Sequence, residues 1–188
     1  MTAAADGREP GTRPAAYSAA QKSLHWIMAA VVLFMIPVGL VMVRIPEGPV
    51  QGKLFDLHRS FGLVVLALAV VRVAVRTAHG APADYPGLTQ FERLASNAAH
   101  RTLYVLILLM PLLGWAGESA FGASWTFFGL FPVPHILPDN HALSDPLLGA
   151  HRWAGYLMAA ILAAHIGGAL MHAVIKRDGV LARMLPGG

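Results

Sequence analysis

Four long apolar stretches, set apart by short polar or glycine- and proline-rich segments, dominate the chain. They cover residues 23–43 (SLHWIMAAVVLFMIPVGLVMV), 57–75, 100–116 and 146–175. A helix needs roughly 20 apolar residues to cross the hydrocarbon core of a bilayer. The first, second and fourth stretches reach or approach that length. The third is shorter, but Thr89-Gln90-Phe91-Glu92 ahead of it has the form of a capping box, as does Ser18-Ala19-Ala20-Gln21 before the first. Such a box satisfies the free N–H groups of a helix start by reciprocal side-chain bonds. Both boxes place a helix start a turn or two outside the membrane. Pro37 and Pro111 fall inside spans, where a bundle tolerates kinks. The pattern therefore predicts an all-α membrane protein, a four-transmembrane-helix bundle. Residues 1–17, polar and interrupted by Gly and Pro, read as a disordered cytoplasmic tail. Residues 18–188 read as one domain. Neither a cleaved signal peptide nor an internal repeat is apparent.

Composition agrees with lipid as the solvent. Charged residues make up 13% and hydrophobic residues 56%, whereas a soluble domain usually carries about 25% charged residues. The distribution of cations predicts an orientation. Of 14 Lys and Arg residues, Arg8, Arg13, Lys22, Arg72, Arg76, Arg93, Arg101, Lys176, Arg177 and Arg183 lie toward one side. Only Arg44, Lys53, Arg59 and Arg152 lie toward the other, and residues 114–150 contain none. By the positive-inside rule both termini are cytoplasmic and the 114–150 segment is outside. The net charge of +4 follows from this topology and does not indicate nucleic acid.

With no cysteine, disulfides, thiolate-ligated clusters and covalently attached c-type haem are excluded. Nine histidines remain, and His25, His58, His100, His151, His165 and His172 fall within or at the ends of spans. Ionisable groups there are usually functional. His151 and His165 are 14 residues apart, which on a helix leaves them about 40° apart around the axis and about 21 Å apart along it. One face of the fourth helix thus offers a ligand near each membrane surface. His58 matches His151 in depth near the outer surface, and His25 matches His165 near the inner one. Haem iron is commonly held by axial histidine, so the expected arrangement is two stacked b haems, each between two histidines. Zinc would require three or four ligands around one point. Arg72, 14 residues after His58, falls at the inner level and suits a haem propionate. His100 suits a propionate contact or packing. Gly39 falls at the outer level, and Gly62 and Gly155, each four residues after a histidine, leave room for a macrocycle. His172 is open between a quinone contact and a plain interfacial histidine. Met28, Met35 and Met42 form a heptad stripe whose spacing is too long for one shared ion, and they read as packing.

These residues resemble the bacterial cytochrome b561 family, including its superoxide oxidase members. The likeness rests on Tyr17-Ser18 with Ser23-Leu24-His25-Trp26, on His58 with Gly62, and on Val71-Arg72 through Arg76. It continues through His100 with Leu103-Tyr104 and Pro111, residues 125–130 (WTFFGL), His151, His165, His172, Asp178 and Arg183-Met184-Leu185-Pro186. The resemblance implies two haems b held by His25, His58, His151 and His165. It also implies a bacterial inner membrane as the location and an electron path there between a reductant outside and ubiquinone. The expected activity is that of a superoxide:ubiquinone oxidoreductase. Superoxide would be drawn to Lys53, Arg59 and Arg152 above the outer haem, and quinone would bind near His172, Ser18 and Lys22. The alternative is an anchor subunit that links a periplasmic redox partner protein to the quinone pool.

Overall fold

The computed structural model describes residues 16–187. The expected tail lies outside the described residues up to position 15. Tyr17, at its end, donates its N–H to the Arg183 carbonyl at 3.3 Å.

Four helices, each long and apolar enough to span a membrane, form the body. They are α1 (Ala19–Met42), α2 (Pro49–His79), α3 (Gln90–Phe121) and α4 (His141–Leu170), which continues as one π turn over Met171–Lys176. Both capping boxes form. Ser18 and Gln21 exchange side-chain and main-chain bonds at the start of α1, and Thr89 and Glu92 do so at the start of α3. Pro49 opens α2 at a position where its missing N–H costs nothing.

The helices pack in sequence order, α1 on α2, α2 on α3 and α3 on α4, whereas the α4 backbone scarcely approaches those of α1 and α2. A slot thus runs between α4 and the α1–α2 pair. The buried core cluster comprises Met28, Val32, Val65, Ala69, Leu106, Ile107 and Met158. Met158 lies midway between His151 and His165 on α4, and the others pack in the same cluster. Met28 of the methionine stripe is among them, as packing requires. Leu33, Val41, Val70, Val105 and Leu109 are exposed, which suits a lipid-facing surface.

Two further elements stand outside the bundle. Thr126–Phe127 and Phe131–Pro132 pair as a short antiparallel hairpin. Its two central residues, Phe128 (φ 48°) and Gly129 (φ 76°), are both left-handed, as a type I′ turn requires. The fully buried Ser60 hydroxyl accepts the Phe128 N–H at 2.9 Å, and the Phe61 and Phe128 rings meet edge to face at 5.1 Å. The hairpin is therefore pinned to the flank of α2. At the other end, residues 177–187 fold back across the start of α1. There Lys22 Nζ donates to the Leu185 carbonyl at 2.8 Å and Trp26 Nε1 to that of Met184 at 2.9 Å. Lys176 pairs with Glu92, joining α4 to the start of α3.

Candidate functional site

The slot beside α4 contains two facing imidazole pairs. His58 and His151 lie with ring centroids 6.0 Å apart and planes at 79°. His25 and His165 lie 6.3 Å apart at 75°. These are the pairs that depth along the helices predicts. A metal between two coaxial imidazoles needs two bonds of about 2 Å and two ring half-widths of about 1.1 Å, so centroids roughly 6.2 Å apart. Both pairs meet that separation, on helices whose backbones stand apart. No group of three or more His, Asp or Glu suited to a metal ion occurs among the described residues.

Each outer ring is backed by a glycine on a neighbouring helix. A Cβ built on Gly39 of α1 would stand 2.9 Å from His58 Cε1, and one on Gly114 of α3 would stand 3.2 Å from His151 Cε1 and Nδ1. In both cases Nε2 is the ring nitrogen farthest from the glycine. His151 Nδ1 lies 2.9 Å from the Met110 carbonyl. A carbonyl only accepts, so Nδ1–H donates and Nε2 keeps its lone pair for a metal. Met110 and Met35 have a second place here, with their methyl groups against Gly155 and Gly62 respectively. The space expected at those two glycines is bordered by thioether side chains.

The inner pair has polar neighbours. Arg72 Nη2 meets His25 Nδ1 at 3.3 Å and its Nη1 meets the Gln21 carbonyl at 3.5 Å. The His100 ring lies edge-on to His165 at 5.1 Å, with its Nδ1 3.4 Å from Ser96 Oγ. Arg72 and His100 thus both reach the inner site, as their positions in the sequence predict.

The residues assigned to quinone, Ser18, Lys22 and His172, differ in what engages them. The Ser18 hydroxyl accepts the Gln21 N–H as a helix cap, and Lys22 is buried against the C-terminal segment. His172 is buried in the π turn, and its Nδ1–H donates to Asp178 Oδ2 at 2.5 Å. Partial burial alone would raise the Asp178 carboxyl, but the bonds from His172 and the Val180 N–H outweigh it and hold the group below the usual carboxylate range. Asp178 is therefore ionised at neutral pH. The stability it lends is complete above the unfolded carboxylate range and is lost as pH falls through its depressed folded value.

The three cations proposed for an anionic substrate have different surroundings. Arg59 pairs with Glu118 at 2.6 Å and stacks over Phe55. Lys53 lines an outer groove of about 470 Å³ with Pro49, Gly52, Asp56, Leu57, Phe128 and Gly129. Five residues from His58, it lies about 140° around α2 from that ring. Arg152 is exposed and has no ion pair among the described residues. The Glu118 partner could not be read from sequence, because it lies 59 positions from Arg59 on another helix.

Comparison with known proteins adds a family to this geometry. The sequence profile of prokaryotic cytochrome b561 matches residues 16–187. The chain is 32% identical to cytochrome b561 homolog 2 of Escherichia coli (strain K12) over 174 residues, 92% of each chain. It is 30% identical to cytochrome b561 homolog 1 of the same organism, over 90% of this chain and 97% of the relative. It is 26% identical to the "Probable superoxide oxidase CybB" of Yersinia pestis, over 90% of this chain and 96% of the relative.

Proposed function

Because the chain belongs to the prokaryotic cytochrome b561 family, whose members carry electrons across the membrane through b-type haem, we propose that it is a two-haem superoxide:ubiquinone oxidoreductase. The observation that carries this reading is the pair of imidazole sandwiches, His58 with His151 and His25 with His165, at opposite ends of one slot. When bound, a b-type haem supplies a one-electron centre at each end. The chain's own residues provide the rest. The Met110 carbonyl fixes the tautomer of His151. The apolar layer from Met28 to Met158 keeps water and ions out of the space between the two levels. At the inner end, His172 is held by Asp178 through one ring nitrogen, which leaves the other to take up a proton and pass it on. The balanced reaction takes two superoxide to two dioxygen outside, while one ubiquinone and two protons become ubiquinol at the inner side. The inner-membrane orientation with both termini cytoplasmic follows the ten-to-four division of cations. The relative named as a superoxide oxidase supports the choice of donor.

The test is stopped-flow mixing of the purified protein with superoxide in the presence of a soluble quinone. Haem reduction should outrun spontaneous dismutation, and quinol should accumulate at one per two superoxide. Quinol formation no faster than with the haem-free protein would refute the activity. Replacing Asp178 by Asn should slow quinone-linked reoxidation about tenfold or more, with superoxide-driven reduction unchanged. Equal slowing of both half-reactions would remove His172 and Asp178 from the quinone end.

A second reading is favoured by the ion pair between Arg59 and Glu118, which neutralises one of the three cations expected to draw a small anion. On that reading the chain is an anchor that passes electrons between quinone and a periplasmic redox protein docked on the 114–150 segment. Inertness to superoxide, together with a copurifying redox partner, would select it.

A further inference from the structure

Arg72 and Arg76 are one helical turn apart on α2, on the face that carries His58. Both guanidinium groups lie over the Tyr104 ring of α3, with carbon-to-centroid distances of 5.5 and 5.7 Å. Neither has a carboxylate partner among the described residues. Like charges at this spacing repel, and arginine within a membrane span is rare without an anion or a carbonyl to meet it; of these, Arg72 reaches only the Gln21 carbonyl, at 3.5 Å. The aromatic face offsets only part of that cost. The same two arginines line a small inner cavity with Tyr17, Gln21, Leu24 and Tyr104, beside His25.

We infer that Arg76, together with Arg72 and the Tyr104 ring, forms the carboxylate-binding end of the inner site and holds the propionates of its haem. The inference rests on the two-haem reading above. Guanidinium and carboxylate pair through two parallel N–H···O bonds, and two guanidiniums held against one ring offer a fixed place for such pairs. The geometry also resolves a conflict at His25. Arginine only donates, so its contact with His25 Nδ1 needs that nitrogen unprotonated, whereas a histidine bound to iron through Nε2 carries its proton there. With a propionate present, Arg72 has another acceptor and His25 keeps its proton. A phosphate of a cytoplasmic-leaflet lipid offers similar chemistry, and the experiment separates the two.

The experiment is a redox titration of the full chain by visible spectroscopy, comparing wild type with Arg76→Gln, Arg76→Lys and, as a control, the exposed Arg101→Gln. The inner midpoint is identified as the one that survives in His151→Ala. A cation near the iron disfavours the more positive ferric state, and an unpaired propionate favours it. Loss of Arg76 should therefore lower the inner midpoint and leave the outer one in place. Lysine should restore most of the shift, and Arg101→Gln should cause none. The shift should be the same in lipid-free detergent and in phosphatidylcholine vesicles. An unmoved inner midpoint, or equal movement of both, overturns the inference. A shift that needs added phosphatidylglycerol assigns the cations to lipid phosphate and overturns it too. Wild-type protein without two haems would sink the two-haem reading itself, whereas two haems with an indifferent Arg76 sinks only this inference.

Discussion

Replacing His151 by Ala removes one of two b-type haem signals, halves the haem bound per chain and abolishes electron transfer from outside to quinone. The expectation follows from the separation of the two pairs. His151 faces only His58, and His165 faces His25, with the apolar layer between them. Axial ligation at the inner site therefore survives. His165→Ala should do the converse, leaving a protein that still takes an electron at its outer face but cannot deliver it. Since each replaced ring faces its partner across the slot and the buried apolar cluster is left intact, each variant should insert and fold. Loss of both haems from either single variant, or of neither, would show that the pairs are not independent sites. Haem content with reduced-minus-oxidised spectra decides it.

Gly39→Ala is expected to have nearly as large an effect on the outer haem, through one methyl group. The added carbon would stand 2.9 Å from His58 Cε1, closer than non-bonded carbons tolerate. In the absence of a ligand the imidazole can rotate away, so the fold should hold. A ring that must stay aligned with His151 cannot rotate, so the outer site loses its geometry while the inner one keeps its own. Metal-site supports of this kind are worth about 10–100-fold in affinity. Gly114→Ala, at 3.2 Å from His151, should act in the same direction and less strongly. Gly167→Ala is the control, because a Cβ there meets nothing within 4 Å. Haem retention after dilution measures the difference. Equal retention in Gly39→Ala and Gly167→Ala would mean that the outer ring is not held against α1.

Much of the bundle was open to reading because a membrane restricts the choices. Without water, a spanning segment must satisfy its own backbone, so four apolar stretches translate into four helices. The boxes at Ser18–Gln21 and Thr89–Glu92 mark two of the starts. The pairing of histidines followed from the 14-residue interval on α4 and the depths of His25 and His58. The role of Gly39 was legible only as a level. Its contact with the His58 ring depends on the approach of α1 to α2, and Gly114 carried no signal of its own. The hairpin was hidden because its strands have two residues each and its turn places Phe128 where Asn or Gly is usual. The π turn under His172 depends on tertiary packing that propensity does not report. Lys53 is a different case. Five residues from His58 on a helix puts it about 140° around the axis, which spacing alone reveals. Grouping it with Arg59 and Arg152 followed charge, and the Glu118 partner of Arg59, on another helix, lay beyond what spacing reports.

The most direct measurement of the central claim is the molar ratio of haem b to protein in the purified full chain, with its dithionite-reduced spectrum. The account predicts two haems b per chain, both low-spin with two axial histidines. A ratio of one, or a preparation with no b-type absorption, would contradict it.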